Sequence, residues 1–144
     1  MKHNKTLQDS LGQLIHQYKR HIRAAVNANA LGLTGMHVKL IHTIESFSEL
    51  PCTANDLVQL LARDKAQIAR LIKELIANNI IEKLPNPDDK RSQLLKLTTS
   101  GKALTQQIKQ ADQDIKQQMQ RGLSEQELEL FESVLEKMVK NLKD

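Results

Sequence analysis

Two short stretches hold the side chains best suited to chemistry. The first is Lys65-Ala66-Gln67-Ile68-Ala69-Arg70-Leu71-Ile72-Lys73. At helical spacing, Ile68, Leu71, Ile72 and Leu75 form one apolar stripe. The opposite face carries Ala66, Arg70, Lys73 and Ala77, flanked by Arg63, Gln67 and Glu74. Gln67 and Arg70 have the chemistry to read base edges, since Gln pairs bidentately with adenine and Arg with guanine. Lys65 and Lys73 suit phosphates, and the two alanines leave room for close approach. The same face also fits a plain solvated surface on which Arg70 and Glu74 pair at i,i+4; Glu74, repelled by phosphate, would stand off any contact. The second stretch is Asp88-Asp89-Lys90-Arg91, inside the longer segment Pro85 to Gln93. Its two prolines exclude a helix. It is long for a hairpin loop, and long loops are often functional. Lys90 there suits a phosphate, and Arg91 is the strongest contact candidate.

Other reactive groups are scarce. The single Cys52 excludes a disulfide within one chain and any Cys-based zinc finger. It directly precedes a helix start, where a thiol pKa can fall, so a redox-responsive regulator and a small packed residue are the two alternatives for it. His16/His21 and His37/His42 are each five residues apart, about 140° around a helix, and neither makes the i,i+4 pair a metal would use. There is no Gly-rich phosphate loop, Gly-x-Ser-x-Gly, His-Glu-x-x-His or plausible cysteine–histidine pair. No enzymatic activity, metal or cofactor is expected.

The elements that must position these groups follow from periodicity. Leu7, Leu11, Leu14, Ile15, Tyr18, Ile22 and Val26 mark a first helix over about 5–29. Thr34 caps a second at about 35–47, with Val38, Leu40, Ile41 and Ile44 inward. Ser48 to Cys52 read as a loop. Thr53 with Asp56 has capping-box spacing and opens a short helix, 54–61, with Leu57, Leu60 and Leu61 as its apolar side. Asp64 with Gln67 repeats that spacing ahead of a helix at 65–78, which Asn78 and Asn79 end. Two helices joined by so short a turn make a helix-turn-helix. Ile80–Leu84 and Leu94–Thr98 fit strands, so a hairpin with a basic tip follows, and the whole reads as a winged helix. Helices at about 100–120 and 125–142 complete the chain; Ser124 with Glu127 caps the last. Leu128, Phe131, Leu135, Met138 and Leu142 there keep a 3-4-3-4 spacing. The fold class is mainly α with a small β-hairpin wing: a single domain over 1–144, with the winged helix at about 34–99 and flanking helices at about 5–29 and 100–142. The flanking helices have apolar stripes that a second chain would cover better than one chain alone, so a homodimer is expected.

Composition agrees with this plan. The chain has 144 residues and 22 leucines, and only Tyr18, Phe47 and Phe131 are aromatic, so the core is aliphatic. Five Gly and three Pro are too few for a barrel of short strands. No apolar run approaches the roughly 18 residues of a membrane span. The N-terminus lacks the apolar region of a signal peptide, so a soluble cytoplasmic protein is expected. The net charge of +4 conceals a distribution: residues 1–23 sum to +4 and 63–96 to +3, whereas 124–144 sum to −3. Basic regions favour polyanions, although many solvated helix faces look the same.

With these residues laid out, the chain resembles the multiple antibiotic resistance regulator (MarR) family of bacterial transcription factors. The resemblance rests on Leu31-Gly32-Leu33-Thr34, Leu57 to Leu61 and Asp64 to Ile72. Most specific are Asp88-Asp89-Lys90-Arg91 and Leu97-Thr98-Thr99-Ser100-Gly101, which match Asp-x-Arg in the wing followed by Leu-Thr-x-x-Gly. Asn79 stands where the family usually has Gly. The resemblance implies a homodimer interlocked through helices 1, 5 and 6. It implies recognition helices in the major groove of a double-stranded operator and wings along the backbone. It maps Asp89 and Arg91 onto the wing motif, with Asp89 orienting the Arg91 guanidinium. It also implies a repressor released by a small phenolic or other aromatic effector, in a pocket lined by helices 1, 2 and 5 near Tyr18, Met36 and His37. The family's peroxide sensors use a cysteine in helix 1, and here that helix has none. A winged-helix protein-interaction module without a DNA role is the alternative class.

Overall fold

The computed structural model describes residues 4–27, 32–47 and 49–143. The elements are α1 (Leu7–Asn27), α2 (Gly35–Ser46), β1 (Cys52–Thr53), α3 (Ala54–Leu61), α4 (Lys65–Ala77), β2 (Ile81–Pro85), β3 (Gln93–Leu97), α5 (Thr99–Gln120) and α6 (Glu125–Lys143). The mainly helical class with a small antiparallel wing is as expected. The expected end of the first helix at 28–29, Leu31, Ser48 and the side chain of Val26 lie outside the described residues. Contacts divide the chain into two compact units, Met1–Asp112 and Gln113–Asp144.

In the first unit, local hydrogen bonding sets the helix ends. Thr6 and Asp9 bond reciprocally, each backbone N–H donating to the other's side chain at 3.1 Å, and start α1. The expected Thr53–Asp56 box forms: Thr53 N–H donates to Asp56 Oδ2 at 2.8 Å and Asp56 N–H to Thr53 Oγ1 at 3.2 Å. The similar spacing of Asp64 and Gln67 does not produce one, because Asp64 makes no side-chain cap bond. The backbone closes that turn instead. Ala62 takes a left-handed conformation (φ 49°), and Arg63 N–H reaches back to the Val58 carbonyl at 3.4 Å. At the other end of α4, Asn79 is left-handed (φ 58°). Its N–H donates to the Ile76 carbonyl and that of Ile80 to the Leu75 carbonyl, each at 2.9 Å. These are the two bonds of a Schellman ending, and Ile80 and Leu75 are both buried against it. Asn thus does the work of the usual glycine and aims the chain into the wing.

The sheet order is β1-β3-β2, all antiparallel. β2 and β3 pair from Ile81↔Leu97 to Pro85↔Gln93. Strand β1 corrects the expected loop: Cys52 and Thr53 pair with Leu95 and Leu94. The core gathers Leu40, Ile41, Leu57, Ile68, Leu75, Ile81 and Leu95, joined by Leu104 and Ile108 of α5. Leu60, expected on the apolar side of its helix, is 61% exposed.

Thr98 ties the wing to α5. Its N–H donates to the Ile80 carbonyl (3.0 Å). Its hydroxyl donates to the Asn79 carbonyl (2.6 Å) and accepts from Gly101 N–H (2.9 Å). A Cβ on Gly101 would lie 2.0 Å from the Ile80 carbonyl oxygen. The Leu-Thr-x-x-Gly motif is therefore one joint: Thr caps the helix, and Gly lets the helix touch the strand entrance.

In the second unit, Gly122 (φ 79°) turns the chain and Ser124 caps α6, accepting from Glu127 N–H at 3.1 Å. No residue of α6 is buried. Its stripe of Leu130, Phe131, Val134, Met138, Val139 and Leu142 stands exposed.

Candidate nucleic-acid interface

Helix α4 presents the expected division of faces. Ile68, Leu71, Ile72 and Leu75 are buried. Lys65, Ala66, Arg70, Lys73 and Ala77 are exposed, and Gln67 is half-buried. The i,i+4 pair between Arg70 and Glu74 is absent, because Glu74 Oε2 lies 2.6 Å from His37 Nε2 on α2. Arg70 therefore keeps its guanidinium unpaired among the described residues.

The wing tip is an ordered loop. Asn86 Nδ2 donates to Ser92 Oγ at 3.1 Å, and Asp88 N–H to Asn86 Oδ1 at 3.0 Å. Asp89 Oδ1 accepts from Arg91 N–H at 2.9 Å, and its Oδ2 from Ser92 Oγ at 3.4 Å. This corrects the expected role of Asp89. Its carboxylate orders the backbone of Arg91 rather than its guanidinium, because a residue two places on offers its N–H in an Asx turn. The side chains of Lys90 and Arg91 are exposed at the tip. An exposed helix face and an exposed loop tip thus each carry cations without carboxylate partners among the described residues.

A model of the MarR family matches residues 31–92. The multiple antibiotic resistance protein MarR of Escherichia coli is 31% identical over 132 residues, covering 90% of each chain. The chain belongs to the MarR family. MarR-family proteins are transcription regulators and not enzymes. A crystal structure of an E. coli MarR mutant complexed with operator DNA matches 90% of this chain and 93% of that one, at 31% identity and a TM-score of 0.68. The Staphylococcus aureus MepR–DNA complex shares the fold with a TM-score of 0.78 at 22% identity, covering 95% and 96%.

Within this MarR-type chain the residues expected near an effector separate. A cleft of about 1270 Å³ lies among α1, α2 and the first part of α5. Tyr18 and Met36 line it, together with Ile22, Val38 and Ile108. Tyr18 donates its O–H to Asp112 Oδ1 at 3.0 Å. Partial burial and then this carboxylate raise its pKa. Lys19, Arg23, Lys39 and Arg63 also line the cleft, which makes it cationic. His37 does not line it. His37 is 6% exposed and serves as the third residue of the α2 capping box, a position usually held by Glu or Gln. The Thr-x-x-His spacing was a signal for this in the sequence, but Glu74 as its partner was not.

Cys52 is fully buried in the core. Desolvation, followed by the nearby Asp56 carboxylate, pushes its thiol up to about 11. That is the reverse of a helix-activated thiolate, so the redox reading loses its basis and Cys52 is a small packed residue. Among the described residues no cluster could hold a metal ion, and no helix is long and apolar enough to cross a membrane.

Proposed function

We propose that the chain is a sequence-specific double-stranded DNA-binding repressor that binds a pseudo-palindromic operator as a homodimer. The observation that carries this is the exposed cation set that has no carboxylate partner among the described residues: Lys65, Arg70 and Lys73 on α4, and Lys90 and Arg91 on the wing. A helix has the width for a major groove, and a hairpin tip can follow the adjacent backbone. Arg70 and Gln67 are assigned to base edges. Lys65, Lys73, Lys90 and Arg91 are assigned to phosphates, with Asp89 shaping the loop that presents the last two. The relatives' complexes with DNA support DNA binding as such.

The whole chain, 1–144, acts as one MarR-type domain in this reading. Its winged helix spans about 34–99, and helices at about 5–29 and 100–142 form the dimer. Leu7, Leu14 and Ile15 of α1 and the stripe of α6 are exposed apolar surface that a second copy covers. A two-fold dimer presents two recognition helices to half-sites one helical turn apart. The cleft takes a small phenolic or other aromatic effector, its ring on Ile22, Met36 and Val38 and its acidic group toward Lys19, Arg23, Lys39 or Arg63. Binding there releases the operator.

A gel-shift against the region upstream of its own gene, run as a salt series, tests the core of this. Two lobes, each offering four phosphate-directed cations, give a slope of log K against log[salt] of about −7. Failure to bind DNA, or binding that ignores salt, refutes the reading in favour of a protein-interaction module.

A further inference from the structure

The bond between His37 and Glu74 is the one polar tie between α2 and α4 among the described hydrogen bonds. Thr34 N–H donates to His37 Nδ1 at 3.0 Å, with Thr34 Oγ1 2.8 Å from the same nitrogen. Because Nδ1 accepts, the ring hydrogen sits on Nε2, aimed at Glu74 Oε2 at 2.6 Å. Both ring nitrogens are thus committed. One holds the start of α2, and the other holds α4 one turn beyond Arg70.

The rest of the α2–α4 contact is apolar, with Leu40 and Ile41 of α2 and Leu71 and Leu75 of α4 in one core. The apolar stripe fixes which face of α4 is buried, but apolar burial is non-directional and leaves the finer rotation of α4 about its axis to directional contacts. A directional bond can set that register; here it runs from the buried His37 ring to Glu74, whose side chain is 44% exposed. The ring itself cannot turn without giving up the cap or the carboxylate.

We propose that His37 is a positioning residue: through Glu74 it sets the rotation of the recognition helix, and hence where Arg70 and Gln67 meet the bases. The proposal rests on α4 being the DNA-reading helix. It also gives Glu74 a role on a face where a carboxylate would otherwise only repel phosphate.

Three variants separate positioning from charge and from folding. Glu74→Ala removes the tie. Glu74→Gln makes the same charge change but keeps an acceptor for Nε2–H. His37→Gln keeps a capping side chain for Thr34 but does not reach Glu74. Each is measured against a duplex selected from a random-sequence library by the wild-type protein, and against a scrambled duplex of the same composition. The altered charge affects both duplexes alike and cancels in the ratio of affinities. E74A and H37Q are expected to lower that ratio about tenfold, the size of one lost base contact. E74Q is expected to keep it within about twofold, and the E74A/H37Q double variant to fall no further than either single one. A purely structural role would lower the folded fraction and leave the ratio unchanged, so unchanged discrimination in folded E74A and H37Q overturns the proposal. A wild-type protein that selects no duplex refutes the DNA-binding reading instead. Amide exchange of residues 65–77 then decides the tie on its own: faster exchange in E74A and H37Q than in E74Q supports it, and equal exchange overturns it.

Discussion

Replacing Gly101 by alanine tests the joint that sets the wing on the helical lobe. The new methyl group would lie 2.0 Å from the Ile80 carbonyl oxygen, 3.1 Å from its carbon and 3.3 Å from Leu97 Cδ2. Ordinary contact begins near 3.4 Å, so helix and strand entrance must part by about 1.4 Å. The neighbour is backbone and cannot swing aside. Parting lengthens the Thr98 N–H to Ile80 bond (3.0 Å) and strains the Thr98 hydroxyl bond to Asn79 (2.6 Å). Each such bond contributes about 1 kcal/mol, and the overpacking strain adds about 1–3 kcal/mol. The better helix propensity of alanine returns about 1 kcal/mol. The net loss is about 2–4 kcal/mol, a fall in Tm of roughly 6–15 °C for a chain of this length. Thermal unfolding followed by circular dichroism at one fixed protein concentration measures it, since a dimer's Tm depends on concentration. Gly12→Ala is the control. Gly12 lies in α1 with nothing within 4 Å of its added Cβ, so the same chemical change there should stabilise by about 0.5–1 kcal/mol. A Gly101→Ala protein as stable as the wild type would show that α5 can retreat from Ile80 without cost and would refute the reasoning.

Other substitutions probe the interface and the core. Arg91→Ala should weaken operator binding more than tenfold in a gel-shift while the protein stays folded; unchanged affinity removes the wing assignment. Arg70→Ala should cost about 1–3 kcal/mol at one base pair of the selected site, whereas an equal loss on all sequences makes Arg70 a phosphate contact. Phe131→Glu on the exposed stripe of α6 should shift sedimentation toward a monomer and weaken operator binding with it; a variant that sediments as the wild type does would exclude that stripe from the dimer. With its thiol held up to about 11 by burial, Cys52 should resist alkylation and peroxide at neutral pH until the protein unfolds. Rapid labelling of the folded protein, or peroxide that releases DNA, would restore the redox reading.

Sequence alone determined the features that local physics controls. The stripe of Ile68, Leu71, Ile72 and Leu75 identified α4 and its outward cations, because helical periodicity depends only on spacing. Thr53 with Asp56, Ser124 with Glu127 and the left-handed Asn79 marked ends within a residue or so, because caps use neighbours in the chain. Tertiary structure decided the rest. Strand β1 has two residues and no periodicity of its own; it exists because β3, some forty residues on, offers Leu94 and Leu95 as partners. Asp64 had capping spacing, but the backbone turn at Ala62 left its side chain without a cap bond. Leu60 kept the helical period and still faces outward, since periodicity names a stripe but not which of its members the lobe covers. Gly101 could be recognised as part of a motif, yet only the approach of Ile80 explains it. Glu74 looked like half of a pair with Arg70 until the buried ring of His37, distant in sequence, proved to be its partner.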